Sequence, residues 1–371
     1  MGKDVIVDRY ARLYEIPDQL AKLGHTVRGY CLSYQGHEEG AWEHQALPGK
    51  LTWESHSLGR AYLPALVSYP KRLLKRLQEF APDVLIGASD IPHAALAAWL
   101  AKRLKVPLAI DLYDNFESFG QAKIPGMVSA LRCAVREAAL VTTTSQPLKQ
   151  LVVDDYKAQG TIIAMPSTVD KTVFRPLDRA TCRKSLGLPE HARLIGTAGG
   201  LHRDKGVSTL YEAWDIIAAQ RSDIHLVLAG PKDPGLPPPS GERIHYLGML
   251  SHARTAELFN ALDVGAICIS DTPFGHYSFP QKAYEMLSCR LPVVAARIGA
   301  MTHLLANVPA SLYAADDAKS LATAFSHQLD EPVIADVPIQ DWAQLIGSIE
   351  PLLRELAEKD PRAAKPARDQ R

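Results

Sequence analysis

Short apolar runs alternate with amphipathic stretches from one end of the chain to the other. In the first half the runs lie at 5–7, 27–32, 84–86, 108–110, 140–143 and 162–164, and helical spacing marks 16–23, 69–80, 92–104 and 124–138. Continuous apolar runs are the pattern of strands covered on both faces. Their alternation with helices predicts a doubly wound parallel sheet. The pattern then restarts, with runs at 194–198, 224–229, 244–247, 264–269, 293–295 and 311–313 and helices at 207–220, 252–262 and 280–289. Between the two sets, Pro166-Ser-Thr-Val-Asp170 and Phe174-Arg-Pro176 supply the turn formers of a linker. The expected architecture is α/β, with Rossmann-like domains at 1–170 and 171–345 and a terminal helix with a disordered tail in 346–371. The tail is expected because Glu358 to Arg371 offers almost nothing to bury.

Length and composition agree with two ordinary domains: 371 residues, 47% of them hydrophobic. Acidic and basic residues balance at 41 each, which removes any overall electrostatic reason to bind nucleic acid. Cys31, Cys133, Cys182, Cys268 and Cys289 are scattered, with no C-x-x-C pair. They predict neither a zinc site nor a disulfide framework, but buried thiols in a reducing compartment. The start MGKDVIVDRY has no signal-peptide pattern, and no run of ~20 apolar residues occurs. A cytoplasmic protein, soluble or peripheral to a membrane, is expected.

Ligands of parallel sheets bind beyond the carboxyl ends of the strands, and two such domains are expected to face each other across a cleft. Four segments stand out. Gly196-Thr-Ala-Gly199-Gly200-Leu-His202-Arg203-Asp-Lys205-Gly206 follows a predicted strand and precedes a predicted helix. Small residues let backbone amides approach an anion, and Arg203 and Lys205 add charge, which suits a diphosphate. A plain strand-to-helix turn with solvated charges fits equally well. In Tyr277-Ser-Phe279-Pro280-Gln281-Lys282-Ala-Tyr-Glu285, Pro280 starts a helix, with a cap at Ser278 or Phe279, and Lys282 and Glu285 lie off its apolar stripe. Glu285 could accept both hydroxyls of a ribose and Lys282 could hold phosphate, although a surface ion pair explains the spacing as well. Asp111-Leu-Tyr113-Asp114-Asn115-Phe-Glu117 places three carboxylates after a strand, as an acid or base or as sugar ligands, or else as an acidic helix start. Last, Lys71-Arg-Leu-Leu-Lys-Arg-Leu-Gln-Glu-Phe80 alternates basic pairs with a leucine stripe, fitting an anionic membrane or an ordinary domain helix.

With these residues the chain resembles glycosyltransferase family 4, the retaining family with the GT-B fold. Leu20-Ala-Lys-Leu-Gly24-His25-Thr-Val is similar to the family's "LA-x-x-GH-x-V", and Pro82-Asp83-Val84-Leu85 to "PDVV". Pro166 to Pro176 resembles "PNGVD…F-x-P", and Gly200-Leu-His-Arg-Asp-Lys205-Gly206 resembles "GRL-x-x-x-KG". Gly230 ends a strand as the family's glycine does, Tyr246-Leu-Gly248 is similar to "FLG", and Lys282 to Val294 resembles "K-x-x-E-x-x-A-x-G-x-PVV". Departures accompany the match. Gly200 stands where the family has a phosphate-binding Arg, for which Arg203 could substitute. Tyr277 stands where many members have Glu, and Tyr113 where His is frequent. Asp8-Arg9-Tyr10-Ala11-Arg12 replaces a Gly-rich loop.

The resemblance implies transfer of a hexose from a nucleotide-diphosphate sugar to a saccharide or lipid-linked acceptor, with retention and without a metal or cofactor. Such chemistry serves cell-surface polysaccharide or glycolipid synthesis. The implied donor ligands are Gly199, Gly200, Arg203, Lys205, Gly230, Phe279, Pro280, Gln281, Lys282 and Glu285. Asp111, Tyr113, Asp114 and Glu117 are the implied catalytic set, and Arg9, Tyr10 and Arg12 would meet the acceptor. The basic helix suggests peripheral contact with an anionic membrane. A nucleotide-sugar epimerase of the same fold and a non-catalytic partner of another transferase are the alternatives.

Overall fold

The computed structural model describes residues 5–9, 11–33, 37–57 and 62–359, with backbone alone for 62–66. The chain divides into one unit of Met1–Ser167 with Trp342–Arg371 and a second of Thr168–Asp341. The linker boundary thus falls at 167, and the terminal helix expected as a separate piece belongs to the first unit. Most of the predicted tail, 360–371, lies outside the described residues.

The first unit opens with α1 (Arg12–Lys22), β1 (Thr26–Ser33), β2 (Gly40–His44), β3 (Lys50–Ser57) and α2 (Tyr62–Phe80). It continues through β4 (Leu85–Gly87), α3 (Ile91–Leu104), β5 (Leu108–Leu112), α4 (Met127–Glu137), β6 (Leu140–Thr143), α5 (Gln146–Asp154) and β7 (Thr161–Ala164). Strands β4-β5-β6-β7 form a parallel sheet, while β1, β3 and β2 form a second sheet in that order, with β2 antiparallel to β3. The strand expected at 5–7 is a turn instead. Three apolar residues followed by Asp8 and Arg9 are too few to cover: Ile6 is buried but Val7 is 73% exposed.

The second unit comprises α6 (Arg179–Leu186), β8 (Arg193–Ala198), α7 (Val207–Gln220), β9 (Ile224–Ala229), β10 (Ile244–Tyr246), α8 (His252–Ala261) and β11 (Val264–Ile267). After these come α9 (Pro273–Tyr277), α10 (Lys282–Ser288), β12 (Val293–Ala296), α11 (Gly299–Leu304), β13 (Leu312–Tyr313) and α12 (Ala318–Asp330). Its sheet is parallel throughout, in the order β10-β9-β8-β11-β12-β13. The chain builds outward from β8 in one direction, then returns to build from β11 in the other. That reversal opens a crevice at the carboxyl ends of β8 and β11, where open α/β sheets take their ligands. At the opposite end, buried Asp263 accepts from Arg183 at 2.8 Å, Arg179 at 2.8 Å and the backbone of Leu194 at 2.7 Å, tying α6 to the start of the sheet.

The last helix, α13 (Trp342–Glu358), returns to the first unit. Its stripe of Trp342, Leu345, Ile346, Ile349 and Leu353 is buried with Ile16 and Leu20 of α1, Ala109 of β5 and Leu140 of β6. Burial of each Leu or Ile here contributes about 1.5–3 kcal/mol, so this packing is a main support of the first sheet. His25 Nε2 meets Glu350 Oε1 at 2.7 Å on the rim of the same contact.

Candidate functional site

The crevice of the second unit is lined by the turn that follows β8. Gly199 N–H donates to Ala229 O at 3.0 Å and Leu201 N–H to Pro231 O at 2.9 Å, so this turn is stitched to the one after β9. The two backbones come so close that a Cβ on Gly230, at φ +123°, would lie 1.9 Å from Gly199 O. Gly230 therefore acts by allowing this approach. Arg203–Lys205 form one turn of 3-10 helix before α7. Arg203 is exposed, with its backbone N–H on Asp233 Oδ2 at 3.3 Å. Lys205 is half-buried, its Nζ 3.7 Å from the centre of the Phe274 ring in α9.

The segment around Pro280 differs from its sequence reading in two respects. Helix α10 begins at Lys282 with Gln281 as its cap, and Pro280 precedes it in a turn in which Ala283 N–H donates to Pro280 O at 2.9 Å. Ser278 instead ends α9. The Lys282–Glu285 spacing is also not that of a solvated surface pair, since Glu285 is buried and Lys282 half-buried. Lys282 Nζ reaches back to Thr197 Oγ1 of β8 at 3.4 Å, and a Cβ on Gly199 would stand 3.4 Å from the same nitrogen. Burial holds the Lys282 ammonium below its ordinary pKa; Cys268 and Glu285 oppose that shift and Lys205 adds to it. An anion over the Gly199 turn would remove the penalty. Phe279 packs on Tyr284, with ring centres 4.7 Å apart, at the edge of this group.

The first-unit candidates separate. Asp111 is fully enclosed: Arg12 grips it through Nε at 3.0 Å and Nη2 at 2.5 Å, and Thr142 Oγ1 donates to it at 2.6 Å. The remaining arm of Arg12 reaches Met165 O at 2.6 Å. Each of the two side chains is 2% exposed, so Arg12 is no acceptor ligand and Asp111 no open acid or base; they form a buried brace. Glu117 is held by Arg132 at 2.8 and 3.2 Å, and Arg132 lies over the Tyr156 ring at 4.9 Å. Tyr113 and Asp114 remain partly exposed beyond β5. The Tyr113 phenol is raised, by burial first and then by the charges of Asp114, Asp90 and Asp111. Arg9 is exposed, and Tyr10 lies outside the described residues.

One pair near Tyr113 escaped the sequence reading. Asp90 caps α3 through His93 N–H at 3.0 Å and also holds His93 Nδ1 at 2.6 Å. Burial opposes ionisation of Asp90, but these bonds outweigh it and its pKa is lowered. The signal was a capping Asp before Pro92 with His three residues on, in a loop after a predicted strand. The helix stripes of α2 also resolve: Leu73 and Leu77 are buried with Tyr69 and Leu100, while Lys71, Arg72, Lys75 and Arg76 face outward. Arg76 bonds Glu54 of β3 at 3.1 Å.

Two family models match the two halves of the chain. "Glycosyl transferase 4-like domain" covers residues 11–165 and "Glycosyl transferases group 1" covers residues 192–331. Among solved structures, a sucrose-phosphate synthase from Thermosynechococcus elongatus superposes with a TM-score of 0.71 over 95% of this chain and 93% of its own, at 18% identity. HepE of Anabaena in complex with UDP gives 0.61 over 83% and 82%, at 17% identity. Together the family models and the crevice define a two-domain chain of the GT-B fold. The chain belongs to glycosyltransferase family 4. Curated relatives include a D-inositol 3-phosphate glycosyltransferase of Stackebrandtia nassauensis, 29% identical over 58% of this chain and 50% of that protein. Another, of Catenulispora acidiphila, is 27% identical over 66% and 64%. The chain thus spans about half to two thirds of the length of these relatives.

Proposed function

We propose that the protein transfers a hexose from a nucleotide-diphosphate sugar to a hydroxyl acceptor with retention of configuration. The observation that carries this is Lys282, an ammonium half-buried over the bare Gly199 turn at the β8–β11 crevice. Lys282 and Lys205, with Arg203 at the rim, neutralise the diphosphate as it departs, so the reaction needs no metal. Glu285 receives the two hydroxyls of the nucleotide ribose. The acceptor oxygen forms its bond to the anomeric carbon as the carbon–diphosphate bond breaks on the same face, and the acceptor proton passes to the departing diphosphate. Protein groups thus contribute position and charge. Neighbours of the same fold were solved with UDP and with UDP-2-fluoro glucose, which makes a uridine donor the first to try.

For the acceptor we propose a saccharide or lipid-linked sugar offering neutral hydroxyls to Tyr113 and Asp114, in polysaccharide or glycolipid synthesis at the cytoplasmic face of a membrane. Asp111 and Glu117 are ion-paired with Arg12 and Arg132, and Asp90 is hydrogen-bonded to His93. D-inositol 3-phosphate, named for the relatives, belongs in the acceptor panel. A thermal-shift screen of nucleotide sugars, followed by product analysis with the stabilising donor, tests the reading. A binding donor raises the melting temperature by mass action. Inverted product, or product released from the donor with no acceptor present, overturns it, the latter in favour of an epimerase.

A further inference from the structure

The turn after β8 carries two adjacent glycines, and beside each stands the nitrogen-bearing end of another side chain, within contact distance of where a Cβ would lie. A Cβ on Gly199 would stand 3.4 Å from Lys282 Nζ. A Cβ on Gly200 would stand 3.4 Å from His202 Nε2 and 2.8 Å from the neighbouring Cδ2 of that ring. The imidazole is folded back over the Gly200 backbone, in the direction a side chain at 200 would take. It is half-buried, whereas Arg203, next in sequence, is exposed. Asp233, on the turn after β9, joins this segment by accepting from Arg203 N–H at 3.3 Å, while its other oxygen accepts from Gly235 N–H of its own turn at 2.8 Å.

We propose that His202 is a ligand of the donor diphosphate, forming with Lys282 a two-nitrogen clamp over the Gly199–Gly200 turn. The inference rests on the diphosphate reading of this crevice and adds to it a residue and a reason for the second glycine. Bare backbone at 199 lets phosphate oxygens come down onto the turn, and the nitrogens beside it donate to them. Gly200 is glycine because the imidazole needs the space. An alanine there would push the ring off its seat without disturbing the backbone, since the atom it meets belongs to a side chain that can rotate.

The test is calorimetric titration of the full chain with inorganic pyrophosphate and with UDP. His202→Ala weakens both by roughly tenfold, and His202→Gln retains part of the affinity because its amide nitrogen reaches about as far as Nε2. Gly200→Ala weakens both on its own, yet Gly200→Ala/His202→Ala binds no worse than His202→Ala, because the two changes remove one interaction. In protein labelled with 15N-histidine, the ring signal that His202→Gln deletes moves on addition of pyrophosphate. Wild-type affinity in a folded His202→Ala, additive losses in the double variant, or a ring signal that stays still overturns the clamp, while binding that depends on Lys205 and Lys282 leaves the diphosphate reading standing. Wild-type protein that binds neither probe overturns that reading and the clamp with it.

Discussion

Asp111 and Glu285 are both buried carboxylates, and their surroundings differ. Asp111 has a guanidinium on both oxygens and a threonine hydroxyl besides, so its charge is spent within the first unit. Asp111→Asn should leave the Arg12 charge uncompensated and lower unfolding stability by about 3–5 kcal/mol, the cost of breaking a buried pair. Denaturant titration checks this, and a stable variant with collapsed kcat would return Asp111 to the catalytic set. Glu285 sits one turn into α10, beside the lysine that reaches the glycine turn. Glu285→Gln should raise donor KM by a factor of about ten to a hundred, corresponding to ~1.5–3 kcal/mol for hydrogen bonds to a charged group. An unchanged donor KM rules out the ribose assignment. Spacing along the sequence places Glu285 one turn from Lys282 on a helix but does not show that it is buried. Asp111 looks like a catalyst in the sequence because its partner, Arg12, lies 99 residues away.

At the scale of elements, apolar periodicity located β5, β6, β8, β9, β11 and β12, whose side chains are almost wholly buried. It missed β3, because Glu54 and His56 turn toward the core there, Glu54 satisfied by Arg28 and Arg76. A strand that buries charge against a helix looks polar in sequence. Another polar contact sets a pH dependence in the second unit. His225 of β9 and His245 of β10 stack with ring centres 5.3 Å apart, and Nδ1 of the first is 2.9 Å from Nε2 of the second. Burial lowers both pKa values, assisted by Arg243 at His225 and by His225 at His245. With folded values below the unfolded ~6.5, folding favours the neutral rings. Their contribution is complete above pH ~6.5 and is lost as pH falls through the folded values. Thermal melts between pH 7.5 and 5 should show a fall in midpoint that is shallower in His225→Phe/His245→Phe. Parallel curves for the two proteins would show that the pair does not titrate on folding.

Over the whole molecule, net charge is zero, so any attraction to a bilayer must come from a local face. The leucines that made α2 look amphipathic are spent in the core, and no described helix is long and apolar enough to cross a membrane. What α2 offers is its outer basic row of Lys71, Arg72 and Lys75, together worth roughly 3 kcal/mol near an anionic surface. The protein should co-sediment with anionic vesicles at low salt, release at high salt, and lose binding in Lys71→Glu/Lys75→Glu. Protein left in the supernatant at low salt would count against peripheral attachment and favour a soluble acceptor. Local pattern was enough to define the class of fold, the glycine turn after β8 and the Lys282–Glu285 spacing, because strand burial, helix period and turn chemistry are short-range properties of a chain. Only the folded chain decided that α13 belongs with α1, that Arg12 neutralises Asp111, that Lys282 reaches Thr197, and that His202 covers Gly200. The first three of these join residues 85 or more positions apart. The last depends on how one ring turns over a bare backbone, which spacing along a sequence does not encode.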